Sequence, residues 1–273
     1  MLGLCLSGGG ARGPYQIGVC MALHEAGILE KVEYISGTSI GAVNAVMLGC
    51  LPVEKIRDLW LNIPQQVLHK TESFFKRVLK ENTSFLKNGI FDLSELRKII
   101  KDNIDFDKLK KSRVFVTLSD CGDEGGGITC LIKASYLHYF KHNNQVVYSK
   151  IWEQTRLETI QQVIASCSIP AIFPATKIEG KQYYDGGVYD NVPVKPLVDV
   201  GCDEIIVIHL DKLPYHYQKK YPDVDFTIFK SQKSLGMRLK FNPKQSEVRY
   251  RYGYEDCKQY LLENLDLKNK AFS

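Results

Sequence analysis

The sequence predicts an α/β protein, a three-layer α/β/α sandwich with a mostly parallel central sheet. Two observations carry that expectation. Strand and helix patterns alternate through the first fifty residues, an order that implies a parallel sheet covered on both faces. Much later, Glu204–Leu210 is a nearly all-apolar run, the pattern of a strand buried in the middle of such a sheet.

Each element has its own signal. Leu2–Ser7 reads as the first strand. Pro14–Ala26 reads as a helix, with Pro14 near its start, where a missing N–H costs nothing, and Gly27 closing it. Val32–Ser36 is the second strand, and Ile40–Gly49 the second helix, small and apolar enough to be buried. From Pro52 to about Asp107 the pattern is helical with little strand character. Within it, Asp92-Leu93-Ser94-Glu95 resembles a capping box opening a helix over Leu93–Ile104. Strand patterns return at Arg113–Ser119 and Thr129–Ala134, around the hairpin loop Gly122–Gly127. Leu157–Ser166 is helical until Pro170 and Pro174 end it. Lys177–Tyr184 reads as a second hairpin, and a last helix is expected over roughly Ser246–Leu265.

Composition narrows the function classes. Hydrophobic residues at 44% and charged residues at 25% are those of a soluble globular chain. No apolar stretch approaches the ~18 residues of a spanning helix. Met1–Ser7 lacks a basic leader region and reads as a strand, not a secretory signal. Eight cysteines spread along the chain form no C-x-x-C pair; they read as reduced core residues of a cytosolic protein, with neither zinc nor disulfides expected. A net charge of +5 is too mild to argue for nucleic acid. A cytoplasmic location is expected, peripheral to membranes if the basic stretch described below meets lipid.

Three short motifs bear chemistry. Gly37-Thr38-Ser39-Ile40-Gly41 sits between the second strand and the second helix. G-x-S-x-G in that setting is a nucleophile elbow: a strained turn projects the serine hydroxyl, and glycines let neighbouring backbone cross closely. Gly8-Gly9-Gly10-Ala11-Arg12-Gly13 joins the first strand to the first helix. Glycine-rich backbone at a helix start offers N–H donors to negative charge, either a phosphate or the oxyanion of an acyl-transfer intermediate. It also satisfies the dinucleotide G-x-G-x-x-G pattern, but the acidic residue that pattern expects after the second strand is missing; Glu30 and Glu33 come too early. Asp185-Gly186-Gly187 closes the second hairpin and is the third motif.

In this order the three motifs resemble the patatin-like phospholipase family, as does Ala165–Pro174, the helix-and-proline segment before the aspartate. The resemblance runs from Leu4 to about Asp211 and implies a catalytic domain over residues 1–211. A basic, aromatic-rich extension over residues 212–273 is expected to pack on the same domain. The resemblance implies Ser39 as nucleophile and Asp185 as its partner in a Ser–Asp dyad. It implies Gly8, Gly9 and Gly10 as oxyanion-hole donors, with Arg12 bracing that loop or adding positive potential. Gly37 and Gly41 would permit the elbow, and Gly186 and Gly187 the turn after the aspartate. The activity implied is hydrolysis of phospholipids or other lipid esters through an acyl-enzyme, with neither cofactor nor metal.

Two other readings stay open on the residues alone. His209 ends the apolar strand and would complete a Ser39–Asp185–His209 triad of the α/β-hydrolase type, although 38 residues leave room for too few strands before the elbow. The glycine-rich loop alone would also suit a nucleotide- or phosphate-binding module. Finally, Lys212–Arg251 holds ten Lys or Arg against three acidic residues, interleaved with Tyr and Phe. That composition suits either a membrane-surface contact or a solvated basic face.

Overall fold

In the computed structural model, residues 1–64, 69–70, 91–121, 145–170, 172–213 and 215–271 are described. The first half runs β1 (Leu2–Leu6), α1 (Pro14–Glu25), β2 (Val32–Thr38), α2 (Ile40–Leu48) and α3 (Val53–Leu61). A two-residue pair, β3 (His69–Lys70) and β4 (Phe91–Asp92), then precedes α4 (Ser94–Asn103), α5 (Phe106–Leu109) and β5 (Val114–Asp120). After β6 (Val146–Lys150) and α6 (Arg156–Ser166) come the hairpin β7 (Thr176–Ile178) and β8 (Lys181–Asp185), then α7 (Lys195–Asp199) and β9 (Glu204–His209). The chain closes with α8 (Tyr217–Lys220), β10 (Asp225–Lys230) and α9 (Pro243–Ala271).

The sheet has the order β10-β9-β1-β2-β5-β8-β7, with β6 also paired to β5. From β10 to β5 every pair is parallel; β6, β8 and β7 add an antiparallel margin. Side chains alternate between two cores. Leu4, Leu6, Val116 and Ile208 face the layer built from α1, α2, α6 and α9. Cys5, Phe115, Ile205 and Val207 face the other layer, with Leu197 of α7 and Tyr217 of α8. The result is the three-layer, mostly parallel arrangement that the alternating pattern predicts.

One register positions the site. Thr38 of β2 pairs with Thr117 of β5, and Asp185 of β8 pairs with the next residue, Leu118. Since β6 pairs with β5 across both stretches, β2 and β8 must share the opposite edge. There both β2 and β8 end, running towards each other, so the residue after Thr38 and the last residue of β8 meet end to end.

Several expectations change. No side chain caps α4, which starts at Ser94, because Asp92 belongs to β4 and Leu93 takes the capping position. A capping box stands instead at α6: Glu158 N–H donates to Thr155 Oγ1 at 3.3 Å, and Thr155 N–H donates to Glu158 Oε2 at 2.7 Å. Among the described residues, β6 and β10 and the short pair β3 and β4 are strands that the sequence reading does not assign, and the last helix starts at Pro243, earlier than expected. The proposed strand Thr129–Ala134 and its loop Gly122–Gly127 lie outside the described residues, as does Cys130. The other seven cysteines are buried free thiols. No helix among the described residues is long and apolar enough to cross a membrane.

Residues beyond Asp211 are woven into this framework. β10 extends the parallel sheet beyond β9. α9 crosses α1 at two glycines, where a Cβ on Gly18 would collide with the Tyr250 carbonyl and one on Gly253 with the Tyr15 carbonyl.

Candidate active site

Ser39 follows the last residue of β2 and precedes the first of α2. Its backbone has φ 56° and ψ −126°, a conformation L-residues rarely adopt. Gly37 and Gly41 make the turn sterically possible. A Cβ on Gly37 would collide with the Gly41 carbonyl, and one on Gly41 would collide with the Leu6 carbonyl and stand 2.6 Å from that of Ser7. Gly41→Ala should therefore push α2 off β1 and lower the unfolding free energy by about 2 kcal/mol. Denaturant titration checks this; a midpoint equal to wild type would show that the crossing yields without strain.

The turn aims the hydroxyl at the end of β8. Ser39 Oγ donates to Asp185 Oδ2 at 2.6 Å, and Gly187 N–H donates to Asp185 Oδ1 at 2.7 Å. The carboxyl is 5% exposed, and burial pushes its pKa up to about 6, against the opposing pull of those two hydrogen bonds and the charge of Arg238. Its backbone is pinned as well: Asp185 N–H donates to the Ser168 carbonyl, and Ser119 Oγ donates to that of Asp185, both at 2.9 Å. Gly186 lies against Thr117, where a Cβ would not fit, and Gly187 presents its N–H to the carboxylate.

The glycine-rich loop packs beside this pair. A Cβ on Gly8 would stand 3.3 Å from that of Ser39. Gly8 N–H, which the resemblance names as an oxyanion donor, donates to the Asn191 carbonyl at 3.0 Å. Gly9 and Gly10 N–H donate to no protein group among the described residues. Gly10 has φ +58°, and the Arg238 carbonyl lies where its Cβ would stand. The Arg12 guanidinium donates to Gly236 O at 2.8 and 2.6 Å and to Leu210 O at 2.9 Å, tying the loop to both segments.

Two further residues hold the site, Ser166 from the Ala165–Pro174 segment and Arg249 from outside every motif. Ser166, at the end of α6, accepts Ser39 N–H at 2.8 Å and donates to Thr117 O at 2.7 Å, tying the elbow to β5. Arg249, 3% exposed, donates to Ala11 O at 2.5 Å and to Leu235 O at 2.8 Å, joining the glycine-rich loop to the segment before α9. This buried brace lies inside the stretch that composition reads as a basic surface. His209 is also buried. Its Nε2 meets Tyr217 Oη at 3.1 Å, its ring stacks on Tyr215, and burial lowers its pKa to about 4. The hydrogen bonds of Asp185 go to Ser39 and Gly187 instead.

Over Ser39 lies a small cleft walled by apolar side chains, among them Ile40, Leu96, Phe173, Leu239 and Phe241. Leu96 brings part of the Pro52–Asp107 section to this wall, whereas Leu239 and Phe241 come from beyond Asp211. Hydrocarbon suits such walls. Among the described residues, no group of three or more His, Cys, Asp or Glu converges as a metal site requires.

Comparison with known proteins agrees with the geometry. The family model for patatin-like phospholipase matches residues 4–198. The chain is 27% identical over 222 residues to a lysophospholipase nte1 of Aspergillus oryzae and 26% identical over 220 residues to a lysophospholipase NTE1 of Yarrowia lipolytica. Those alignments cover 81% and 79% of this chain but only 12% and 13% of the relatives. The crystal structure of VipD from Legionella pneumophila superposes with a TM-score of 0.53 at 14% identity, covering 96% of this chain and 66% of that one, a likeness of fold. An elbow serine after the second strand, a glycine-rich turn after the first and a matched stretch of 195 residues lead to one assignment. The chain is a member of the patatin-like phospholipase family.

Proposed function

We propose that this chain is a serine acyl hydrolase cleaving ester bonds of phospholipids or lysophospholipids through the dyad of Ser39 and Asp185. The observation that carries the reading is the 2.6 Å hydrogen bond from a strained elbow serine to a buried carboxylate at the base of an apolar cleft. The names of the two fungal relatives support lysophospholipid as substrate.

Chemically, Asp185 accepts the Ser39 proton as Oγ attacks the ester carbonyl. Gly9 and Gly10 N–H hold the oxyanion that forms, each such donor contributing on the order of 10²-fold in rate. Collapse of that intermediate expels the alcohol, which takes the proton from Asp185, and leaves an acyl-Ser39 ester. Water then attacks, giving its proton to Asp185, and the fatty acid departs as Ser39 recovers its proton. Asp185 suits both halves because burial brings its pKa towards the working range of a general base. In this reading residues 212–273 belong to the catalytic unit, since Leu239 and Phe241 wall the cleft and Arg249 holds the loop.

A fluorophosphonate probe tests the reading directly. The folded protein should be labelled, with the adduct on the peptide containing Ser39; a folded protein that resists labelling would leave a binding module. His209→Gln separates dyad from triad. Activity within about twofold of wild type is expected, since the ring serves the Tyr215–Tyr217 stack, whereas a triad predicts collapse by about 10⁴-fold.

A further inference from the structure

The segment between β10 and α9 sets basic residues and exposed apolar ones side by side at the mouth of the cleft. It reads Gln232-Lys233-Ser234-Leu235-Gly236-Met237-Arg238-Leu239-Lys240-Phe241-Asn242 and contains no acidic residue. Leu235 is buried in the main core, and Phe241 stacks on Trp60 with ring centroids 6.3 Å apart. Between these anchors the backbone is held by Arg249, which donates to the carbonyls of Leu235 at 2.8 Å, Met237 at 3.2 Å and Lys240 at 3.4 Å. Arg12 adds a hold on Gly236.

A loop braced at that many points could turn its apolar side chains inward. Instead Met237 is 69% exposed and Leu239 37% exposed. Leu239 is also a wall of the cleft above Ser39, so exposed apolar surface of this segment reaches the site. Lys233 is paired with Glu255, but Arg238, Lys240 and Lys244 form no ion pair among the described residues. A fixed apolar ridge flanked by unpaired cations is complementary to one kind of partner, a surface with hydrocarbon beneath and anionic groups above.

We propose that Met237 and Leu239, flanked by Arg238 and Lys240, dock this chain on anionic lipid surfaces and open the cleft of Ser39 directly onto the bilayer. The assignment rests on the lipid-hydrolase reading for its purpose but not for its binding. The rest of the Lys212–Arg251 stretch has other work: β10 lies in the sheet, Arg249 is buried, and Lys219 and Lys220 sit on α8 in the opposite layer.

The test uses the full chain carrying Ser39→Ala, so that vesicles are not consumed, with phosphatidylcholine vesicles made with and without phosphatidylserine. Co-sedimentation should show binding to the anionic vesicles that weakens as salt is raised. Met237→Glu and Lys240→Glu should each reduce that binding by about tenfold, while Lys219→Glu should leave it unchanged. Failure of the parent to bind anionic vesicles overturns the proposal, as does an equal loss on Lys219→Glu, which would mean undirected charge attraction. In the Ser39-containing protein, Met237→Glu should keep hydrolysis of a short water-soluble ester within about twofold of its parent. Loss of that activity in both loop variants would assign the ridge to the chemistry and overturn docking. A parent that binds vesicles as expected yet hydrolyses no ester and takes no fluorophosphonate leaves docking standing and removes the hydrolase reading instead.

Discussion

Ser39→Ala should lower ester turnover by about 10⁴-fold or more and abolish fluorophosphonate labelling, with the fold intact. Nothing else in the cleft replaces the lost oxygen. The nearby thiol of Cys167 is buried and held well above its ordinary pKa by desolvation and the charge of Asp185, so it supplies no thiolate. What rate remains would come from the Gly9 and Gly10 donors acting on bound substrate. The substitution also removes the proton that Asp185 Oδ2 receives from Ser39, leaving a buried oxygen short of a partner, at a cost of about 1–2 kcal/mol near neutral pH. Ser39→Gly loses the same hydrogen bond but accepts φ 56° without strain, so it should be the more stable of the two by about 1 kcal/mol. Steady-state hydrolysis and thermal melts of both variants decide the matter. Retention of more than a hundredth of wild-type turnover by Ser39→Ala would mean that another group is the nucleophile.

Much of this fold is legible in the sequence because its parallel core is written in apolar runs punctuated by glycine and proline. β1, β2, β5 and β9 are covered on both faces, and the turns after β1 and β2 are marked by the glycines that steric crossing demands. β10 escapes notice for the opposite reason. It is an edge strand, Asp-Phe-Thr-Ile-Phe-Lys, with Ile228 exposed, and it sits within a stretch whose charge suggests a surface. β6 is hidden by its brevity and by its distance from its partner; β5 lies more than twenty residues upstream. The register that brings β2 and β8 to one edge of β5 is not written in any local pattern, because it depends on which strands compete for that edge.

The site divides along the same line. Ser39 and Asp185 are readable because their backbone geometry restricts their neighbours to glycine, and the structure brings them within hydrogen-bond distance. Ser166, Asn191 and Arg249 reach the elbow and the glycine-rich loop from 127, 183 and 238 positions away, and although Ala165–Pro174 is legible as a segment, no local pattern singles out these three side chains at such range. Gly8 shows the limit from the other side. Three adjacent glycines announce a loop rich in amides, but only the path of the loop decides that Gly8 N–H turns to Asn191 while those of Gly9 and Gly10 find no partner among the described residues.

Asp185→Asn should cost about 10⁴-fold in turnover and yet stabilise the protein at alkaline pH. An amide nearly matches the carboxylate in shape, so Gly187 keeps its acceptor and Ser39 a neighbour, but no group remains to take the serine proton. The stability effect follows from burial. In the folded chain Asp185 ionises near pH 6, whereas its ordinary value is 3.8, so the fold prefers the protonated form. That preference stabilises the fold fully below the ordinary value and is lost as pH rises through about 6. Above pH 7 the wild type therefore holds a buried charge that costs on the order of 2 kcal/mol, and the amide does not. Melts at pH 8 should place Asp185→Asn above wild type, with the gap closing as pH falls from 6 towards 4. Wild-type kcat/KM should rise with pH through the same value, because the ionised carboxylate is the base. A variant no more stable than wild type at pH 8, together with a flat rate profile between pH 5 and pH 7, would mean that Asp185 is ionised throughout and that burial does not set its basicity.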